Sequence, residues 1–448
     1  MMNKIIYIFL AAAIILSSCK LDDQLDPNNP SVSSVTQNAT VGQLQNLVTG
    51  LEVRSKAYIG TASNAYGVFG REIWYFNRTD ARYNQFWLGQ GGRLPNSTFF
   101  GVDAAFTSAY VTIKQANLLI SAIANTGSVT EEQKHAYLGF AKTIQGYQFI
   151  IPANSQYENG IRVDVTDEQR PGPFVKYQPA LTAIRGVLEE GYSELTQSGS
   201  ALPFTLSAGY SGLNTPAGLM KVNRALVARV AIYQKDWQGA LDALSQSFFD
   251  INGSLSIGPA HTFAAPPDTY NPLFYVLNAS PATITVVHPS LIENALPGDL
   301  RVSSKFFKRT AVLTNTQGEV PLSSQYQDNR WATNVAPITY IKNEELILIY
   351  AEASAQLQQF DNAVRAVNRI RSAAGLANYT GGLTTAALIT EILFQRRYSL
   401  WYEPAGHRWV DLRRYDRLSE LPVAADKGVA FTQMATPLNE LNWDLYAK

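Results

Sequence analysis

The chain of 448 residues carries 36 Lys and Arg against 36 Asp and Glu, so its formal charge is zero with neutral histidines. This balance argues against a nucleic-acid-binding protein, in which basic residues are in clustered excess. The single cysteine excludes an intrachain disulfide and a cysteine-based zinc site. The length permits two or three domains, or one large helical domain.

The first residues have the pattern of an export signal. Lys4 precedes the 12-residue apolar run 5–16, which is too short to span a hydrocarbon layer of ~30 Å. The tetrapeptide Leu-Ser-Ser-Cys that ends at Cys19 resembles a bacterial lipobox, and this resemblance implies cleavage before Cys19 and lipidation of that residue. An ordinary signal peptide with a chance cysteine is the alternative. We therefore expect residues 1–18 to be a lipoprotein signal peptide, with acyl chains as the membrane anchor.

The residues behind the cysteine predict a tether. Asp22 and Asp23 form an acidic pair that resembles the surface-export signal of Bacteroidetes lipoproteins. A polar stretch with Pro27 and Pro30 follows, and this composition favours an extended chain. We expect residues 19–35 to be a lipidated tether and residues 36–448 to form a single domain.

The domain is predicted to be mainly α-helical, because apolar residues recur at helical spacing. Thr130 and Gln133 have the spacing of a capping box, so a helix should begin after Thr130, and we expect Pro152 to end it. The other predicted helices are 40–56, 104–124, 177–196, 215–234, 237–248, 343–358, 362–373 and 384–402.

Two predicted helical hairpins are similar in sequence. Residues 231–244 align with residues 355–367 with one gap, and in each an aromatic residue stands three positions before a small alanine, as Trp237 does before Ala240. Such an alanine lets two helices approach closely while the aromatic ring fills the turn, which is typical of tetratricopeptide-like hairpins. Unrelated amphipathic hairpins are the alternative. The predicted fold is a tetratricopeptide-like scaffold of helical hairpins.

Two long segments interrupt the helices. Residues 61–100 are rich in Gly, Asn and aromatic residues, and residues 252–340 are rich in Pro, Thr and Ser. Short β-branched runs such as 282–287 predict a few short strands. Because loops this long in a compact protein are usually functional, we expect both insertions to form functional surface on a helical frame.

Motifs of common catalytic sites are absent from the sequence. No two of the four histidines stand three or four positions apart, and there is no H-E-x-x-H, phosphate loop, G-x-G-x-x-G before a helix or G-x-S-x-G. We expect no enzyme activity, no metal and no cofactor. The pairs Glu189-Glu190 and Glu344-Glu345 are best explained as solvated helix faces or ion-pair partners. Two carboxylates that converge only in space, as in an envelope hydrolase, stay open.

The final third carries the motifs of a known family. Residues 343–353 lead into the helix 362–373, which is followed by residues 389–400 and then by Gly-His-Arg-Trp-Val-Asp-Leu-Arg-Arg at 406–414. In this order the sequence resembles the SusD/RagB family of outer-membrane nutrient-binding lipoproteins. It departs from the family where acidic residues are usual, since Gln395 and Ser399 stand there. We expect the charged residues of the last run to hold the helical frame without touching ligand: Arg408, Asp411, Arg413 and Arg414.

The resemblance implies a function. It implies a surface-exposed, lipid-anchored protein of the outer membrane that captures oligosaccharides and delivers them to a SusC-like TonB-dependent transporter, over which it acts as a lid. A peptide or another oligomeric nutrient with the same transporter partnership is the alternative. A helical-repeat scaffold that binds only protein partners is a further alternative.

A sugar site without metal or covalent chemistry needs flat apolar faces and polar groups beside them. The resemblance implies that such sites are built from loops of the N-terminal region and of the large insertion. In the first segment we predict ligand contacts from Trp74, Tyr75, Arg78, Asp80, Tyr83 and Trp87. In the second we predict them from Tyr270, Tyr275, Tyr326, Arg330 and Trp331. For each aromatic residue, burial against the helices is the alternative.

Overall fold

The computed structural model describes residues 35–446 except residues 95 and 168. The predicted signal peptide, Cys19 and all but the last residue of the predicted tether lie outside the described residues. Within the described part of the chain, no helix combines the length and the apolar character needed to cross a membrane.

Helices dominate the fold, as predicted. In chain order they are α1 Val41–Ser55, α2 Ile59–Phe69, α3 Arg82–Trp87, α4 Phe100–Ala124, α5 Glu131–Gln156, α6 Tyr177–Thr196, α7 Pro216–Gln234, α8 Trp237–Ser245, α9 Ser290–Glu293, α10 Leu300–Lys305, α11 Asn343–Gln356, α12 Phe360–Ala373, α13 Thr385–Ser399, α14 His407–Arg414 and α15 Leu438–Tyr446. Each long helix from α4 to α8 packs on the next one, α8 packs on α11, and α11 packs on α12 and α13. The predicted scaffold of helical hairpins is confirmed.

The two similar hairpins are α7–α8 and α11–α12. Both have a non-glycine residue in the left-handed region at the turn, Lys235 in one and Gln358 in the other, each with φ of 60°. Ala240 and Ala363 are completely buried where the helices of each hairpin meet. The same small residue and the same turn conformation therefore make the two hairpins structural equivalents.

Most helix starts follow their sequence signals, and one predicted end is wrong. Thr130 and Gln133 form the predicted capping box at the start of α5. Pro152 does not end this helix, which continues to Gln156. The residues from Phe149 to Gln156 are all buried, and the Ser155 hydroxyl donates to the Pro152 carbonyl at 3.1 Å. Tertiary packing thus offsets the backbone hydrogen bond that proline cannot make.

The segment 61–100 is more ordered than the predicted loop. It contains most of α2, all of strand β1 Ile73–Asn77 and all of α3. Small residues let α2 pack closely: a side-chain carbon on Gly67 would lie 2.7 Å from the Ile73 side chain and 2.8 Å from the Tyr402 ring. The prediction of an irregular loop is wrong here. The small residues of α2 let neighbouring side chains pack directly against it, and most of the helix is buried.

The described strands are short, as predicted, and form four antiparallel pairs. The β-branched run 282–287 contains strand β5 Thr283–Val287, which pairs with β1 so that Trp74 lies opposite Val286. A longer hairpin joins β6 Phe306–Asn315 to β7 Leu322–Asp328, with a register shift between Lys308 and Leu313. The other strands are β2 Ile161–Arg162, β3 Phe174–Val175, β4 Ala260–His261 and β8 Ile338–Thr339.

The charged run at 406–414 lies inside the frame. Asp411 accepts from Arg396 at 2.6 Å and from Arg414 at 2.9 Å. Arg413 donates to the carbonyl oxygens of Asn154 at 2.8 Å and Thr432 at 3.0 Å. These contacts join α13, α14, the end of α5 and the C-terminal segment, in agreement with the expected framework role.

Candidate functional site

The two tryptophans predicted to contact ligand lie in the core. Trp74 is 4% exposed and Trp87 is 1% exposed. Trp74 packs against the His288 ring with their centres 4.7 Å apart. Since side chains alternate along a strand, Trp74 and Phe76 point into the protein while Tyr75 points to the other side of β1. Neither tryptophan offers a ring face to a ligand, so this part of the prediction is corrected.

Tyr75 and Tyr83 come together at the surface, and we call this pair the tyrosine surface. Both side chains are half-buried, with ring centres 4.8 Å apart. Trp87 lies 5.5 Å from the Tyr75 ring and 4.8 Å from the Tyr83 ring, and Phe99 lies 5.3 Å from the Tyr83 ring. The buried Trp87 therefore supports the two partly exposed rings that the sequence also singled out.

The tyrosine hydroxyls stay neutral at physiological pH. Burial raises the pKa of Tyr83 to about 12 and also raises the pKa of Tyr75. Burial likewise raises the pKa of the half-buried Tyr275, and the nearby Tyr75 hydroxyl adds to that shift. Neutral phenols both donate and accept hydrogen bonds, as sugar hydroxyls do.

A charged pair lies next in sequence to Tyr83. Asp80 binds Arg82 through two hydrogen bonds of 2.9 and 2.7 Å, and the two side chains are 21% and 56% exposed. The hydrogen bond from Arg82 holds the pKa of Asp80 below its usual value. Arg78 is engaged differently: its guanidinium donates to the Ser280 hydroxyl at 3.0 Å and to the carbonyl oxygens of residues 280 and 281. Arg78 therefore anchors a neighbouring loop.

The residues predicted from the second insertion are spread over different surroundings. Tyr270 is 46% exposed and lies two residues from Asp268, which pairs with Lys56 at 2.6 Å. Trp331 is half-buried and donates its indole N–H to Asp328 at 3.0 Å. Arg330 stacks between the rings of Trp331 and Trp401, at 4.8 and 4.6 Å from their centres. These contacts lock Arg330 and Trp331 into the frame.

Tyr326 lines an open cleft of about 790 Å³, which we call the β7 cleft. One wall consists of residues 295–303 and the other of the start of β6 together with β7. Phe307, Lys308 and Asn329 also line it, and the sequence analysis missed all three. Their position depends on the pairing of β6 with β7, for which the sequence gives no clear signal.

Both places offer groups for non-covalent binding of a ligand. In the described part of the chain, no three His, Asp or Glu side chains converge as a metal-binding group. Aromatic rings with neutral hydroxyls and amides beside them can stack on the C–H faces of a sugar and bind its hydroxyl groups.

Comparisons with known proteins give one matching sequence profile and several similar folds. Residues 325–445 match the sequence profile of the SusD family. A comparison with curated protein sequences gives no match. A solved SusD superfamily protein from Bacteroides vulgatus aligns with a TM-score of 0.65 at 15% identity, over 90% of this chain and 97% of its own.

Two surface glycan-binding proteins have the same fold. Surface glycan-binding protein A from Bacteroides uniformis aligns with a TM-score of 0.68 at 15% identity, over 90% of this chain and 98% of its own. The protein of that name from Bacteroides thetaiotaomicron, solved in complex with laminarihexaose, aligns with a TM-score of 0.68 at 12% identity, over 92% of this chain and 99% of its own. Both of those proteins are named for glycan binding. Residues 325–445 thus match the SusD family, and the chain as a whole has the fold of SusD superfamily proteins.

Proposed function

We propose that the chain is a surface-exposed glycan-binding lipoprotein that captures oligosaccharides and delivers them to a SusC-like TonB-dependent transporter of the outer membrane. The observation that carries the binding part is the tyrosine surface, two partly exposed rings 4.8 Å apart on a SusD fold. The names of the two glycan-binding relatives support a sugar as the ligand.

The tyrosine surface suits weak, reversible capture. Each ring that stacks on a sugar contributes only ~1 kcal/mol beyond the area it buries. The charged groups of Asp80 and Arg82 stand next to Tyr83 in the chain, and hydrogen bonds from sugar hydroxyls to charged groups are stronger than those between neutral groups. A site of this kind holds a nutrient long enough for transfer and releases it without chemistry.

Alanine at Tyr83 tests the location of the site. A glycan array first identifies a bound oligosaccharide, and calorimetric titration then compares variants. We expect Tyr83→Ala and Tyr75→Ala each to weaken binding by roughly tenfold, because each removes one stacking face worth about 1.4 kcal/mol with its contact area. Tyr83→Phe keeps the ring and should retain most of the affinity.

The matched control is Tyr192→Ala, which removes a half-buried tyrosine from α6, outside the tyrosine surface. Its affinity should equal that of the unaltered protein. Unchanged affinity in both Tyr75→Ala and Tyr83→Ala would remove the tyrosine surface from the site. Binding of peptides in place of glycans would favour a peptide nutrient, and binding of neither would favour a protein-interaction scaffold.

The anchoring part of the proposal rests on the lipobox-like sequence at Cys19, the proposed lipid attachment residue. Cys19→Ser should abolish incorporation of radiolabelled palmitate and move the protein out of the membrane fraction. Ser18→Ala keeps a small residue before the cysteine and should be labelled normally. Retention of Cys19→Ser in the outer membrane in the absence of the transporter would contradict lipid anchoring.

A further inference from the structure

The β7 cleft and the tyrosine surface share no residue. Gln327 is 1% exposed, and its amide nitrogen donates to the carbonyl oxygens of Tyr275 at 3.2 Å and Val276 at 3.0 Å. The Tyr275 hydroxyl is near enough to the Tyr75 hydroxyl for the two to interact electrostatically. Because neighbouring residues of a strand point to opposite faces, the Tyr326 side chain lies on the face of β7 opposite to Gln327. The two surfaces can therefore bind ligands separately.

Lys308 stands directly across from Tyr326. The two residues are register partners in the antiparallel pair of β6 and β7, so both side chains lie on the same face. Lys308 is exposed, lines the cleft and has no ion-pair partner among the described residues. An aromatic ring and an unpaired ammonium group thus stand side by side in one cleft.

The charge of the cleft wall is not balanced. Asp299 is the acidic residue of the lining, but it is 5% exposed and both of its carboxylate oxygens bind Arg301, at 2.9 and 2.7 Å. The remaining lining residues are neutral, with Ser303 and Asn329 supplying exposed polar groups. Lys308 is therefore the uncompensated charge of the cleft, and an anionic group is its natural partner.

We propose that the β7 cleft is a second binding site, separate from the tyrosine surface, for an acidic sugar that carries a carboxylate or sulfate group. The sugar ring stacks on Tyr326, and the anion binds the Lys308 ammonium group. Ser303 and Asn329 bind hydroxyl groups at the edge of the same ring. This inference rests on the proposed glycan binding but not on the location of the neutral-sugar site.

The test compares pairs of probes that differ only in charge. Oligogalacturonate is titrated beside its methyl ester, and a sulfated galactan oligosaccharide without uronic acids beside its neutral desulfated form. We expect the acidic member of at least one pair to bind more tightly, with an affinity that falls as salt is added. Lys308→Ala should weaken that binding by roughly tenfold, the size of one charge-assisted hydrogen bond, and Tyr326→Ala by a similar factor. Lys308→Arg should largely retain it.

Two control variants show whether the loss of binding is specific to the β7 cleft. Lys221→Ala removes an exposed lysine of α7, and Tyr192→Ala removes a half-buried tyrosine of α6; neither should change the affinity for the acidic probe. If Lys308→Ala binds the acidic probes like the unaltered protein, or if no acidic probe exceeds its neutral partner at millimolar concentration, the second site is overturned. If the acidic-sugar site fails this test but Tyr83→Ala loses binding of a neutral glycan, the proposed glycan-binding function is still supported.

Discussion

Replacing Glu345 by glutamine should lower the free energy of unfolding by about 3–5 kcal/mol. Glu345 on α11 binds Arg229 on α7 through contacts of 2.7 and 2.6 Å, and the two side chains are 0% and 1% exposed. Arg229 also donates to the Tyr340 carbonyl at 2.7 Å. The glutamine side chain is uncharged, so the buried Arg229 guanidinium would lose its counter-charge. This loss is costly because the guanidinium is shielded from water. Chemical denaturation at neutral pH measures the change.

A partly exposed pair between α6 and α7 provides the control. Arg224 and Glu189 are 2.8 Å apart, and the Glu189 side chain is 45% exposed. Glu189→Gln should cost less than about 1 kcal/mol, because solvent screens this pair. A double change of Arg229 to Met and Glu345 to Leu should regain much of the lost stability by removing both charges. Equal costs for Glu345→Gln and Glu189→Gln would refute the assignment of Glu345 as a buried charge partner that joins the two hairpins.

Replacing Glu72 by glutamine should make stability less dependent on pH. Glu72 is 1% exposed; one carboxylate oxygen accepts from the Tyr402 backbone N–H at 3.2 Å, and the other has no hydrogen-bond partner among the described residues. Burial raises its pKa from 4.5 to about 8, although the guanidinium groups of Arg408, Arg397 and Arg330 act in the opposite direction.

The sign of the effect follows from the proton that the folded state retains. Between pH ~4.5 and ~8 the folded protein keeps Glu72 protonated while the unfolded chain releases the proton, so this group's contribution to stability declines as pH rises. Glutamine does not titrate, so Glu72→Gln should gain stability relative to the unaltered protein by a few kcal/mol over that range. Denaturation at several pH values measures the trend, with the exposed Glu293→Gln as a control that leaves it unchanged. If the free energy of unfolding changed with pH in the same way in Glu72→Gln and in the unaltered protein, a buried, protonated Glu72 would be contradicted.

Local signals made most of the helical frame predictable. The capping box at Thr130 and the alanines of the two hairpins each act within a few residues, so their effects are visible in the sequence. The prediction that Pro152 ends α5 is wrong because the energetic cost of proline inside a helix is offset by packing against residues far away in the chain. For Glu344 and Glu345 the sequence leaves solvated helix faces and ion pairs as alternatives. Both residues form ion pairs, and the sequence could not indicate that the Glu345 pair is buried and the Glu344 pair partly buried.

The site was only partly predictable for a similar reason. Residues 73–77 form a strand, in which alternate side chains point to opposite faces, so Trp74 is buried and Tyr75 is partly exposed. A loop has no such alternation, and the loop prediction therefore places Trp74 and Trp87 at the surface although both are buried. The pairing of Lys308 with Tyr326 depends on a hairpin with a register shift, and the sequence does not fix where that shift falls.

The buried ring of Trp87 beneath Tyr75 and Tyr83 has a kinetic consequence. Rings already fixed by packing lose little conformational freedom when a sugar arrives, so little of the interaction energy is consumed in ordering the protein. Association should then proceed in a single phase whose rate follows sugar concentration linearly, without a slow rearrangement at saturation. The dissociation rate, rather than the association rate, would then decide how long a bound sugar stays on the protein.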